Sequence, residues 1–348
     1  MSFFDGKISG ITRFRIDEDL SQFDELIMKG AFRALFPENS AQNIGFVSIN
    51  DCLDSELTTE KTLLADYRVF SLRIDRRVIP PSTMKIRLLE KTKEFLAETG
   101  QKRLYREQRE NIRESIQADL WKKIPPVTDV YDVAIDWSTG IVYLSTLTSS
   151  VIDKFADIFK EAFGIYVKPY DVVSREEIEK VSGGTTAPIG RDFLTWLWFR
   201  SNLHDGLIEI NNWKYTVSFV NRIVFEFDAG EYTETVVCSG VNPEIKEAKE
   251  ALRQDKKIKE ARIRIENEQG DTWTFGFKAD SFKFQSVKLP TSADEDEETP
   301  EGRNLERLGL MSALTDRMDD LFEMYLQLRL SPDWPEEVAA MHAWAMEE

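Results

Sequence analysis

The sequence is poor in the residues on which most catalytic and secretory signatures depend. Among 348 residues there are two cysteines, Cys52 and Cys238, and two histidines, His204 and His342. The cysteines lie far apart and form no CxxC or Cys/His set, which argues against a disulfide framework or a structural zinc site and for a reducing, cytoplasmic setting. Neither histidine stands in an HExxH or HxE context. No GxSxG, GxxxxGK[ST] or GxGxxG at a strand–helix junction occurs, so hydrolase, P-loop and dinucleotide chemistry have no motif to rest on. Long apolar runs are missing too: no stretch reaches the roughly 18 residues a membrane helix needs. The first residues, Met1-Ser-Phe-Phe-Asp-Gly-Lys7, lack a basic region followed by an apolar one. The expectation is a chain with no membrane span, no signal peptide and no cofactor.

What is present is a core and an uneven charge. Twenty-two Phe, 8 Trp and 9 Tyr carry far more apolar surface than a disordered chain. At about 150 residues per domain the length predicts two or three modules. The net charge is −17, which taken whole argues against polyanionic partners. Residues 76–123, however, carry 13 basic and 7 acidic side chains, for +6, whereas residues 290–348 carry 4 and 16, for −12. A local basic stripe can still meet phosphates.

Hydrophobic periodicity predicts strands at 8–16, 67–75 and 165–173 and helices at 20–35 and 151–163. Ser82 is a candidate N-cap for a helix to Ala97, broken by Gly100, and a second helix runs from Lys102 to Lys123, where Pro125-Pro126 stops it. Residues 131–137 and 141–146 read as a hairpin through Ser138-Thr139-Gly140. Beyond a linker at 181–190, Asp192 is placed to cap a short apolar helix. Strands follow near 207–219, 222–228 and 232–238, a helix from Asn242-Pro243 to Arg253, and strands near 258–267, 271–278 and 281–288. Residues 304–329 form an amphipathic helix, with a shorter one after it. The class is α+β, with meandering antiparallel sheets and helices packed on one side, in several subdomains. The divisions are an N-terminal α+β region (1–180) with a basic helix pair (82–123) and a hairpin (130–146), a C-terminal meander (191–289), an acidic linker (290–303) and terminal helices (304–348).

Four constellations bear on function. Asp129, Asp132 and Asp136 are the one carboxylate cluster to weigh as a two-metal nuclease site. The alternating Tyr131, Val133, Ile135 and Trp137 instead put Asp132 and Asp136 on the wet face of a half-buried strand. Trp196, Trp198 and Phe199 could stack bases, but beside Leu194 and Leu197 they read as core. The acidic tail reads as a solubilising linker plus docking helix, or as a DNA mimic whose removal would strengthen DNA binding. In the basic block, Lys102, Arg106, Arg109 and Arg113 fall within about 60° on one helical stripe. Arg103 lies beside them, Lys85, Arg87, Lys91 and Lys93 come from the preceding helix, and Lys122-Lys123 follow. Periodicity leaves a solvated face paired with Glu110 and Glu114 and a row of sequence-insensitive phosphate contacts equally open.

The succession Arg76-Arg-Val-Ile-Pro-Pro81, charged helix pair, Leu120-Trp121, Tyr131-Asp-Val-Ala-Ile-Asp136, Ser138-Thr-Gly140 and Ile141-Val-Tyr-Leu144 resembles the RdgC family of recombination-associated DNA-binding proteins. So does Ile245-Lys-Glu-Ala-Lys-Glu-Ala251 followed by Ala261-Arg-Ile-Arg-Ile265, Trp273-Thr-Phe-Gly-Phe277 and Phe282-Lys-Phe-Gln-Ser-Val-Lys-Leu289. Together these cover residues 8–289. The resemblance implies a homodimer closing as a ring around duplex DNA, a positively charged inner surface and no sequence preference. It also implies modulation of homologous recombination by limiting the access of a RecA-type recombinase, in the nucleoid. An exonuclease label accompanies the family, without a catalytic motif here. The alternative is an acidic interaction protein of the same fold that has lost DNA binding and acts on a recombination partner.

Overall fold

The computed structural model describes residues 3–4, 7–18, 20–34, 36, 40–172, 189–210, 213–228, 232–240, 245–291 and 299–347. Most of the expected 181–190 linker and the acidic run 294–298 lie outside the described residues. In chain order the elements are β1 (Lys7–Arg15), α1 (Phe23–Leu26), β2 (Gln42–Val47), α2 (Thr59–Thr62), β3 (Leu63–Leu64), β4 (Tyr67–Arg76), α3 (Pro81–Thr99), α4 (Arg106–Trp121), β5 (Val127–Asp136), β6 (Ile141–Leu144), α5 (Ser149–Phe163) and β7 (Lys168–Pro169). Then come α6 (Ile189–Ser201), β8 (Leu207–Ile210), β9 (Trp213–Asp228), β10 (Thr233–Ser239), α7 (Ile245–Arg253), β11 (Lys257–Asn267), β12 (Thr272–Lys278), β13 (Lys283–Lys288), α8 (Pro300–Leu330) and α9 (Trp334–Met346). The chain is α+β, and its named strands pair antiparallel throughout.

The main strand path runs β10-β9-β11-β12-β13-β1-β6-β5-β4-β2. β1 joins its two halves: Lys7 to Ile11 pair with β13, whereas Thr12 to Arg15 pair with β6. One core lies between the N-terminal strands and α5, where Phe14, Phe46, Phe70, Phe155 and Phe159 are buried. A larger one gathers the C-terminal strands, α6, α8 and α9, with Phe193, Trp196, Phe275 and Met311 inside it. Tyr143, Ala134 and Val69 belong to this second core although they sit on β6, β5 and β4. The N-terminal strands therefore carry α5 on one face and α8 on the other, not helices on one side alone. The long α8 supplies the second cover because its 31 residues reach from one half of the sheet to the other.

Several elements depart from the sequence pattern for local reasons. The helix expected over 20–35 is only α1 and one 3-10 turn, Ile27–Gly30; the chain then turns so that the Phe32 N–H donates to the Phe46 carbonyl of β2. α3 starts two residues early, with Pro80 rather than Ser82 at the N-cap and Pro81 in the first turn, where proline's fixed φ suits a helix start. Gly100 ends α3 at φ 66°, a left-handed cap that costs glycine nothing. The strands expected at 207–219 and 222–228 are regrouped, because β9 runs unbroken through Asn221, which absorbs a register shift at φ 63°. The strand expected at 165–173 shrinks to two residues, β7. Asp192 lies inside α6 rather than capping it, bonded to Lys257 and Arg329.

Candidate nucleic-acid interface

β4 and β5 run side by side for ten register pairs, from Tyr67↔Asp136 to Arg76↔Val127. Everything between Arg76 and Val127 is therefore an insertion at one end of a two-stranded ladder. That insertion is α3 and α4, which pack on each other rather than on the sheet. α3 buries none of its 19 residues. Ile116 and Leu120 of α4 are buried, yet they belong to neither core. The helix pair is an arm held by its own apolar seam. The Gln108 side chain fixes its second helix by accepting from the Tyr105 N–H at 3.1 Å.

All eleven basic residues singled out from the sequence are on this arm or at its foot, and all are exposed: Lys85, Arg87, Lys91, Lys93, Lys102, Arg103, Arg106, Arg109, Arg113, Lys122 and Lys123. The stripe on the second helix is shorter than expected. α4 begins at Arg106, so Lys102 and Arg103 stand in the connection that precedes it. Gly100 has already turned the chain there, and the first α4 turn is set by the Gln108 cap. Three cations lean on carboxylates of their own helix: Arg87 on Glu90 at 2.9 Å, Lys91 on Glu94 at 2.8 Å and Arg106 on Glu110 at 3.1 Å. Hydrogen bonding to Glu94 pushes the Lys91 ammonium up. Such solvent-exposed pairs hold their side chains only weakly. The other eight make no ion pair with a described residue.

The carboxylates of β5 face a different environment from the one expected. Asp132 and Asp136 are 5% and 9% exposed, so the face reserved for solvent is covered. The Phe3 N–H donates to Asp132 Oδ2 at 2.8 Å and Ser71 Oγ to Oδ1 at 3.0 Å. Asp136 Oδ1 accepts from the Ser138 N–H, the Ser138 hydroxyl and the Thr139 N–H, closing the hairpin turn. Asp129 pairs with Arg76. Among the described residues no group of three His, Cys, Asp or Glu is placed to hold a metal ion. Trp196, Trp198 and Phe199 are 1–3% exposed and pack as core.

The acidic C-terminal region also differs from a detachable mimic. α8 buries Leu308, Met311, Leu314 and Met318 among its ten buried residues, and Arg13 of β1 holds Asp319 through two bonds of 2.6 and 2.7 Å. Glu337 of α9 accepts from Trp196 Nε1 and Arg200 Nε. Removing residues 290–348 would expose the apolar residues that α8 and α9 contribute to the larger core, so the region is not a detachable segment. Among the described residues, no helix is long and apolar enough to cross a membrane.

The residues that the charge pattern did not single out are apolar. Met84, Leu88, Leu89 and Leu96 of α3 face Leu104 and Trp121 across a groove between the arm's helices. Met84, Leu88 and Leu96 recur at helical spacing, but spacing alone does not tell a filled seam from an open groove. No protein-family model matches the chain, and no curated protein matches it.

Proposed function

We propose that the chain is a sequence-nonspecific duplex-DNA-binding protein of the RdgC type, acting as a ring-shaped homodimer that encircles DNA and limits the access of a RecA-type recombinase. What supports this reading is the arm: eleven exposed cations gathered on a helix pair that neither core requires, in a chain otherwise dominated by Asp and Glu. Lys and Arg on rigid helices meet phosphates without reading bases, so the contacts carry affinity and not sequence. Asp132, Asp136 and Asp129 are engaged in holding β5 and its turn, and the reading assigns them no chemistry.

Each phosphate contact adds about 0.9 to the log–log dependence of affinity on salt. Arg106→Glu, Arg109→Glu and Arg113→Glu together should abolish duplex binding at low salt and flatten that slope in fluorescence anisotropy. These residues are exposed, so the melting temperature should hold. A triple variant that binds like the parent overturns the reading.

A further inference from the structure

The arm's cations face two different surroundings. Lys85, Arg103, Arg109 and Arg113, with Arg77 at the base, line the groove of about 960 Å³ between α3 and α4. No described Asp or Glu lines it, although acidic residues outnumber basic ones 62 to 45 in the chain. Its floor is apolar, built from Met84, Leu88, Leu89, Leu96, Leu104 and Trp121. Of these, Leu89 remains 56% exposed, so the floor presents apolar surface to solvent.

Duplex DNA satisfies only half of this. Phosphates suit the rim, but the backbone of a duplex offers no apolar surface to cover the leucines of the floor. A second copy of the arm is disfavoured by charge, because residues 76–123 of each copy carry +6. An amphipathic helix with an apolar stripe and an acidic back fits both features. It would seat apolar anchors at i, i+3, i+4 and i+7 on the floor and set carboxylates against the rim. At 1.5 Å per residue the 19 residues of α3 offer about 28 Å, room for about five helical turns.

The geometry points to this groove as the docking site for an acidic amphipathic helix of a partner protein, completing a three-helix layer on the arm. The inference goes beyond DNA binding. Since Lys85, Arg103, Arg109 and Arg113 are also proposed phosphate contacts, an occupied groove lowers DNA affinity, and the partner acts as a competitor.

The probe is a fluorescein-labelled 18-residue synthetic helix with Leu on one face and Glu on the other, against a scrambled peptide of the same composition. With the full-length protein the patterned peptide should bind at least tenfold tighter than the scramble and should displace duplex DNA. Leu88→Ser with Leu89→Ser leaves the charge untouched. It should weaken the peptide at least tenfold while duplex affinity stays at the parent value. If the double variant melts early, Leu89→Ser alone, at an exposed site, provides the same reading with a smaller loss. A peptide bound no tighter than its scramble, or equally well by the Ser variants, overturns the groove while leaving DNA binding standing. Loss of DNA binding with peptide binding retained overturns the other reading instead. Phosphatidylglycerol vesicles captured through Leu88 and Leu89 without peptide binding would overturn the helix in favour of a lipid.

Discussion

α3 and α8 are both long, charged helices, and they do opposite work. α3 spans 19 residues and buries none, whereas α8 spans 31 and buries ten. The basic helix belongs to an arm that could be lifted away at Arg76 and Val127. The acidic helix, from the region with most of the chain's negative charge, holds both halves of the sheet. Net charge by segment thus says where a surface can meet a phosphate and nothing about which segment the fold depends on.

The contrast can be attacked first at its strongest point. Arg13→Ala leaves Asp319, 8% exposed, as a buried charge without its bidentate partner, and should cost about 3–5 kcal/mol of stability in urea unfolding. A loss under about 1 kcal/mol would show that α8 is held by apolar packing alone.

A smaller effect comes from Tyr143, which faces α8 with its hydroxyl 3.4 Å from Ser312 Oγ. Burial pushes the phenol up to about 12, against the hydrogen bonds to Ser312 and Thr315. The raised value means that the unfolded chain loses its proton first, near pH 10. Stability is therefore intact below pH 10 and falls as pH rises towards 12, by about 1–3 kcal/mol for this one group. Tyr143→Phe should remove that share of the alkaline loss; an unchanged pH profile would place the phenol in water.

The smallest effect on stability belongs to the arm. Replacing residues 77–126 by a short Gly-Asn turn joins Arg76 to Val127, which already face each other across the ladder. The melting temperature should move by only a few degrees, about 1 kcal/mol, while duplex binding disappears. Unfolding on excision would make the arm part of the core and undo the comparison.

The alternating strands, the hairpin at Gly140 and the helix pair are legible in the sequence, because periods of two and 3.6 and a few glycines and prolines fix local structure directly. The eleven cations are legible for the same reason: long charged side chains on a helix with little apolar surface go to solvent. The fates of Asp132 and Asp136 are not. Their alternation is that of a solvent face, and only Phe3 and α8, brought back from opposite ends of the chain, turn that face inward. The groove is hidden in the same way, since a helical apolar stripe looks identical whether it is filled or left open.

The sequence by itself determined the α+β class and the excess of positive charge over residues 76–123, both of which follow from local pattern and counting. Tertiary structure alone decided that the acidic C-terminal helices are core and the basic pair an appendage. Burial is a property of what comes to lie opposite a residue, and contacts such as Arg13 with Asp319 join positions 306 apart in the chain.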